Sequence, residues 1–187
     1  MQINIINRQD SVINNYLSEI RDVDVQTDPL RFRRNIERIG SLMAYEVSKT
    51  LSYSPKDVRT PLGVATVNVP SNEIVVGTIL RAGLPMHHGV LDVFDHAQNC
   101  FISAYRKYIS PNEFEINLEY VATAHLDDKI LIIADPMLAT GGSSIAACTF
   151  LKEKYGAKSI RLMNIIAAPE GLEAFTNAHP DVEVYCA

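Results

Sequence analysis

Short, unbroken apolar runs punctuate the chain from residue 74 onward: Ile74 to Leu80, Cys100 to Tyr105, Ile130 to Ala134, Ile160 to Ala168 and Val182 to Tyr185. A strand with one wet face alternates apolar and polar residues, so continuous runs predict strands buried on both faces. Between the Ile130 and Ile160 runs, Ser143 to Tyr155 reads as a helix closed by Gly156. Ile145, Ala146, Phe150 and Leu151 form its expected inward face, with Lys152, Glu153 and Lys154 outward. Glu170 to Ala178 supplies another helix. Strands alternating with helices call for an α/β fold: a mainly parallel, twisted sheet covered by helices on both faces. Ligands bind such sheets beyond the carboxyl ends of the strands.

Upstream, Asp28-Pro29 is a helix entry, because Asp caps free amides and Pro is tolerated where no donor is required. Leu30, Ile36, Ile39, Leu42, Met43 and Val47 then recur at helical spacing, predicting an N-terminal helical arm over 27–53 that ends before Ser54-Pro55. The other face carries Arg31, Arg33, Arg34 and Arg38, read as a solvated face, with a subunit contact or an anionic effector as alternatives. Ser110-Pro111-Asn112, followed by alternation through Tyr120, breaks the rhythm of the sheet and predicts a hairpin flap over 106–125. No repeat or Pro/Gly/Ser linker divides the 187 residues, which read as a single domain, 1–187.

A formal charge of −5 argues against gripping nucleic acid by phosphate neutralisation. No apolar stretch approaches the roughly 18 residues of a membrane span, and the first residues lack the pattern of a secretory signal. Cys100, Cys148 and Cys186 are odd in number and match no zinc or CxxC spacing, which points to reduced thiols and a cytoplasmic protein. His87-His88 is a poor metal pair, because sequence neighbours diverge on a helix.

The chemistry concentrates in Ile130 to Ser144. A buried strand delivers Asp135 at its carboxyl end, the small-residue loop Pro136-Met137-Leu138-Ala139-Thr140-Gly141-Gly142 follows, and a helix opens at Ser143. Backbone amides and the positive end of the helix dipole converge there, making an anion site. Gly141 and Gly142 let the backbone approach a phosphate, and the Thr140 and Ser143 hydroxyls can donate to it. The spacing is neither GxxxxGK[ST] nor GxGxxG, so the Walker and dinucleotide fingerprints both fail and neither site is expected.

The string DPMLATGGS, Asp135 to Ser143, resembles the phosphoribosyl diphosphate (PRPP) motif of uracil phosphoribosyltransferases, within the type I phosphoribosyltransferase fold. Ile79-Leu80-Arg81-Ala82-Gly83-Leu84 resembles that family's pyrophosphate loop and Tyr105-Arg106 its second arginine site. Ala167 to Gly171 and Ala178 to Val182 resemble its closing segment, and Ser41 to Glu46 with Thr60-Pro61-Leu62-Gly63 fit its N-terminal half. Most other type I enzymes carry two adjacent acids at the positions of Asp135 and Pro136, so Pro136 points to the uracil branch.

The resemblance implies that Pro136 to Ser143 bind PRPP, with Ala139, Thr140, Gly141, Gly142 and Ser143 around the 5-phosphate, and that Asp135 accepts from the ribose hydroxyls. Arg81 would hold the pyrophosphate, and Arg106, at the base of the flap, would close over it. Arg106 and Asp135 are the expected catalytic residues. The implied reaction is displacement at C1 of PRPP by a ring nitrogen of uracil, giving UMP and pyrophosphate. Mg²⁺ is expected to arrive on the substrate's oxygens, because it prefers substrate phosphates to all-protein cages, so no protein metal ligand is assigned. The resemblance further implies a homodimer or higher oligomer and, as in some members, activation by GTP.

Members continue beyond the position of Ala187 into a Gly-rich hood that recognises uracil, and no residue here reads the base. A sequence cut short is the expectation, with a natural variant that kept only the PRPP site as the alternative. Pro85, where many relatives have Gly, and His87-His88 are smaller departures. Three rival readings stay open: a non-catalytic PRPP-sensing regulator, an RNA-binding pyrimidine regulator, and a phosphoribosyltransferase for another base.

Overall fold

The computed structural model describes residues 3–110 and 113–187, and their side chains apart from 106–110 and 113–117. In chain order the elements are β1 (Ile3–Ile5), α1 (Ile13–Arg21), α2 (Pro29–Ser48), β2 (Tyr53–Thr60), β3 (Gly63–Pro70), β4 (Ile74–Leu80), α3 (Leu84–Leu91) and β5 (Gln98–Ser110). There follow β6 (Glu113–Thr123), β7 (Ile130–Ala134), β8 (Met137–Leu138), α4 (Gly142–Tyr155), β9 (Ser159–Asn164), β10 (Ile166–Ala167), α5 (Pro169–Ala178) and β11 (Glu183–Cys186).

Seven strands form one sheet in the order β1-β11-β9-β7-β4-β5-β6, parallel throughout except for the antiparallel pair β5–β6 at one edge. The central strands are buried on both sides, which is why their sequences lack alternation. Within β7, Ile130, Ile132 and Ala134 face the cluster built by α1, α2 and α3, while Leu131 and Ile133 face the cluster of α4 and α5. Each fully buried side chain of this size contributes about 1.5–3 kcal/mol relative to exposure.

The predicted helical arm is real but is not an appendage. Asp28 caps α2 by accepting from the Leu30 and Arg31 amides, with Pro29 opening the helix. Ile36, Ile39, Met43 and Val47 sit in the core, whereas Leu30 is 62% exposed and does not join that face. Three of the arginines find partners within the chain. Arg31 forks onto Glu19, Arg34 pairs with Glu37, and Arg38 lies over the Tyr16 ring. The Arg31 guanidinium, with the Asn35 side-chain amide, holds the Glu19 carboxyl below the usual carboxylate range. Residues 13–21, a helix that the sequence reading did not assign, bury Ile13, Leu17 and Ile20 beside α2.

The inward face of α4 also differs from expectation. Ser144, Ala147, Cys148 and Leu151 are the buried residues, while Ile145, Ala146 and Phe150 are half-buried. This helix is apolar on most sides, so side-chain hydrophobicity could not choose the face. Gly156 closes it with φ 67°. The flap appears in part. β5 and β6 pair from Cys100 with Thr123 out to Ser110 with Glu113, and the Pro111-Asn112 turn lies outside the described residues.

A further hairpin, β2–β3, stands apart from the main sheet, paired from Tyr53 with Pro70 down to Thr60 with Gly63 and exposed along nearly all its length. Among the described residues, no helix is long and apolar enough to cross a membrane. All three cysteines are free and buried.

Candidate functional site

β7 and β4 are neighbours in the middle of the sheet, and their carboxyl ends deliver Asp135 and Arg81 to the same place. A cavity of about 180 Å³ opens there, lined by Arg81 and Ala82 on one side and by Asp135 and the loop 137–144 on the other. The predicted PRPP residues Met137, Leu138, Ala139, Thr140, Gly141, Gly142 and Ser143 thus all line one cavity with Asp135 and Arg81. Pro136 turns away from it and borders the adjoining cavity. Arg106 lies in β5, with its side chain outside the described residues.

The loop is tied down at several points. The Pro136 carbonyl accepts from the Ile165 and Ile166 amides at 3.0 Å each. β8 pairs in parallel with β10, Met137 with Ile166 and Leu138 with Ala167, and Leu138 is buried. Gly141 then adopts φ 81°, a left-handed conformation that favours glycine, and a Cβ there would meet the Gly171 carbonyl at 3.0 Å. α4 begins at Gly142. The first amides of a helix lack intrahelical acceptors, so those of its first turn are free to meet an anion, supported by the helix dipole.

On the opposite wall the Leu80–Arg81 peptide is cis. Gly83 permits close packing behind it: a Cβ there would stand 2.8 Å from the Ala134 carbonyl and nearer still to the Thr78 hydroxyl. Arg81 itself is exposed.

Asp135 is the carboxylate of the cavity. Burial pushes its carboxyl above the usual range, opposed by hydrogen bonds from the Ser144 hydroxyl and the Met137 amide. The Ser144 hydroxyl donates to Asp135 Oδ2 at 2.7 Å, and Asn164 Nδ2 donates to the Asp135 main-chain carbonyl at 2.7 Å. Neither Ser144 nor Asn164 was picked out from the sequence. A hydroxyl one residue past the glycine motif and an amide inside the apolar run Leu162 to Ile166 were the available signals.

Beside this cavity lies a second, of about 550 Å³ and almost wholly apolar, bordered by Ile20, Phe32, Ile36, Pro136, Met137 and Ile165. It shares Arg81, Ala82 and Met137 with the first. A third, about 560 Å³, lies near Lys56, Glu73 and His96, at the amino ends of β4 and β5, and none of the motif residues line it. His87 is buried against Asn99, 2.8 Å from its side-chain oxygen, while His88 is exposed, so the pair diverges as its helical spacing requires.

Comparison with known proteins agrees with this geometry. The family model described as uracil phosphoribosyltransferase matches residues 7–187. The chain is 46% identical over 181 residues to the uracil phosphoribosyltransferase of Porphyromonas gingivalis, covering 97% of this chain and 84% of that one. Against the enzyme of the same name from Dictyoglomus turgidum the identity is 41% over 178 residues, covering 94% and 83%. Among solved structures, the AQ2163 protein of Aquifex aeolicus superposes with a TM-score of 0.86 at 30% identity, covering 97% of this chain and 85% of that one. A hypoxanthine phosphoribosyltransferase from Staphylococcus aureus shares the fold at a TM-score of 0.52 and 15% identity, covering 73% and 65%. The sheet is therefore of the type I phosphoribosyltransferase kind, and the chain belongs to the uracil phosphoribosyltransferase family.

Proposed function

We infer that this protein transfers the phosphoribosyl group of PRPP to uracil, giving UMP and pyrophosphate. One observation carries the reading: a carboxylate, a glycine-rich helix N-terminus and an arginine line a single cavity beyond the carboxyl ends of central strands. Relatives at 46% and 41% identity that bear the uracil phosphoribosyltransferase name support the choice of base. They lend nothing to the reading of a non-catalytic PRPP sensor.

In this reading the amides and hydroxyls of Ala139 to Ser143 cradle the 5-phosphate, and Asp135 accepts from the ribose hydroxyls. The pyrophosphate, which gains charge as its bond to C1 breaks, is assigned to Arg81 and Arg106. A guanidinium suits that task because it stays cationic and binds two oxygens at once. A ring nitrogen of uracil attacks C1 from the opposite face, through a transition state with oxocarbenium character and with inversion, and its N–H proton is released to solvent as the N–C1 bond forms. Positioning and charge stabilisation then supply most of the rate enhancement. Mg²⁺ enters as part of the substrate, on pyrophosphate and ribose oxygens.

A homodimer or higher oligomer belongs to the same proposal. The β2–β3 hairpin supports it, because Leu62 is 100% and Val64 72% exposed on an element that is exposed along nearly all its length. GTP as an effector is carried over from the family resemblance alone. A cytoplasmic location is favoured by the free, buried cysteines.

Incubation with Mg²⁺-PRPP and, separately, uracil, cytosine and hypoxanthine tests the reading, with nucleotide products separated by chromatography. UMP from uracil alone is expected. Retained PRPP binding with no nucleotide from any base would favour the sensor, and IMP from hypoxanthine would favour another base.

A further inference from the structure

Asp135 is gripped by side chains that lie outside the glycine-rich motif. Its main chain is fixed twice, with its amide donating to the Met163 carbonyl at 3.1 Å and its carbonyl accepting from Asn164 Nδ2 at 2.7 Å. What remains free is rotation of the carboxylate about its own side-chain bonds. Ser144, 1% exposed in the first turn of α4, ends that freedom by donating its hydroxyl to Oδ2 at 2.7 Å. The Met137 amide donates to the same carboxylate.

This use of a serine is informative. A helical Ser commonly returns its hydroxyl to a carbonyl within its own helix. Ser144 instead reaches a carboxylate nine residues earlier in the chain, across the mouth of the loop. An ionised carboxylate offers about four lone-pair positions. With two occupied by Ser144 and Met137, the others are left for the cavity that Asp135 lines.

We propose that Ser144 is a positioning residue for Asp135, holding the carboxylate so that its remaining lone pairs meet the ribose hydroxyls of the substrate. The proposal rests on the reading of Asp135 as the ribose acceptor. Among the described residues, the surroundings leave this task to a neutral donor: Arg81, which lines the cavity, is exposed on the far wall, and β9 presents the neutral Asn164. Cys148, one turn along α4, has its thiol pushed up by burial to about 12 and stays uncharged. Removal of the hydroxyl leaves the carboxylate in a site that disfavours its charge, with only the Met137 amide to orient it.

The test compares two ligands of the same cradle by calorimetric titration of the full chain. Ribose 5-phosphate presents a phosphate and hydroxyls, and inorganic phosphate presents the phosphate alone. For Ser144→Ala, the affinity for ribose 5-phosphate is expected to fall about tenfold, the scale of one hydrogen bond to a charged group, while phosphate binding changes less than about twofold. Ser144→Thr, which keeps the hydroxyl, is expected to recover most of the loss. Unchanged ribose 5-phosphate binding in Ser144→Ala overturns the role of Ser144. An equal fall for both ligands also overturns it, because Ser144 would then support only the loop. If the unsubstituted chain binds phosphate but gains nothing from the ribose, the reading of Asp135 fails first and takes the proposal with it.

Discussion

Asn164, fully buried at the end of β9, donates its side-chain amide to the main-chain carbonyl of Asp135 at 2.7 Å. A polar residue inside an apolar strand thus fixes the point where β7 gives way to the phosphate loop. Its own Oδ1 is buried with no partner among the described residues. Asn164→Leu removes the donor and strands the Asp135 carbonyl, so the variant is expected to lose about 1–2 kcal/mol. Urea denaturation measures the loss, and KM for PRPP is expected to rise severalfold alongside it. Stability and KM both equal to the parent would remove Asn164 from the account.

Gly141→Ala places a Cβ 3.0 Å from the Gly171 carbonyl on a backbone with φ 81°. The left-handed conformation alone costs a residue with a Cβ about 1–2 kcal/mol. Lower thermal stability is expected together with weaker PRPP binding, because the shift falls on the amides assigned to the 5-phosphate. A variant that binds PRPP as well as the parent would move that phosphate elsewhere.

The cysteines should be silent in the native protein. Burial pushes the Cys148 thiol up to about 12 and Cys186 to about 11, and it raises Cys100 as well. The thiolate is the nucleophile, so a disulfide-exchange reagent at pH 8 should label none of the three until denaturant is added. Rapid labelling of Cys148 in the folded state would contradict the packing of α4 against the sheet.

Asp135 should weaken the fold while serving the site. Burial raises its folded-state pKa above its unfolded value, so its stability contribution is greatest below the unfolded pKa and is lost as pH rises through the folded one. Asp135→Asn removes that pH-dependent penalty, and its stability relative to the parent is expected to improve as pH rises from acid toward neutrality. Thermal melts across pH 3 to 8 check the direction. A relative stability that declines over that range would mean that the carboxylate is stabilised by its surroundings.

Much of this site was legible because its parts are contiguous. A buried strand, an acid, a run of small residues and a helix appear in sequence between Ile130 and Tyr155, and the structure keeps them in that order. Arg81 follows directly on another apolar run, and it was singled out by the resemblance of Ile79 to Leu84 to the family's pyrophosphate loop. The meeting of Arg81 with Asp135 was not local, since it depends on β4 lying next to β7 in the sheet.

What the sequence hid has physical causes. α1 sets Ile13, Tyr16, Leu17 and Ile20 at helical spacing, but over only nine residues, too short a stretch for the period to stand out. The β2–β3 hairpin is exposed on both faces, so its valines do not mark a buried side. Ser144 and Asn164 are polar groups in the core, and their value comes from the Asp135 atoms they meet rather than from any period in the chain.

Initial rates of UMP formation from Mg²⁺-PRPP and uracil, for the parent chain and for Asp135→Asn and Arg81→Ala, decide whether this cavity carries the reaction. UMP and pyrophosphate in equal amounts are expected from the parent, with both substitutions lowering kcat/KM by about 100-fold, the scale on which a preorganised electrostatic contact acts. UMP formed at parental rates by either variant would contradict the assignment of this cavity as the site of phosphoribosyl transfer.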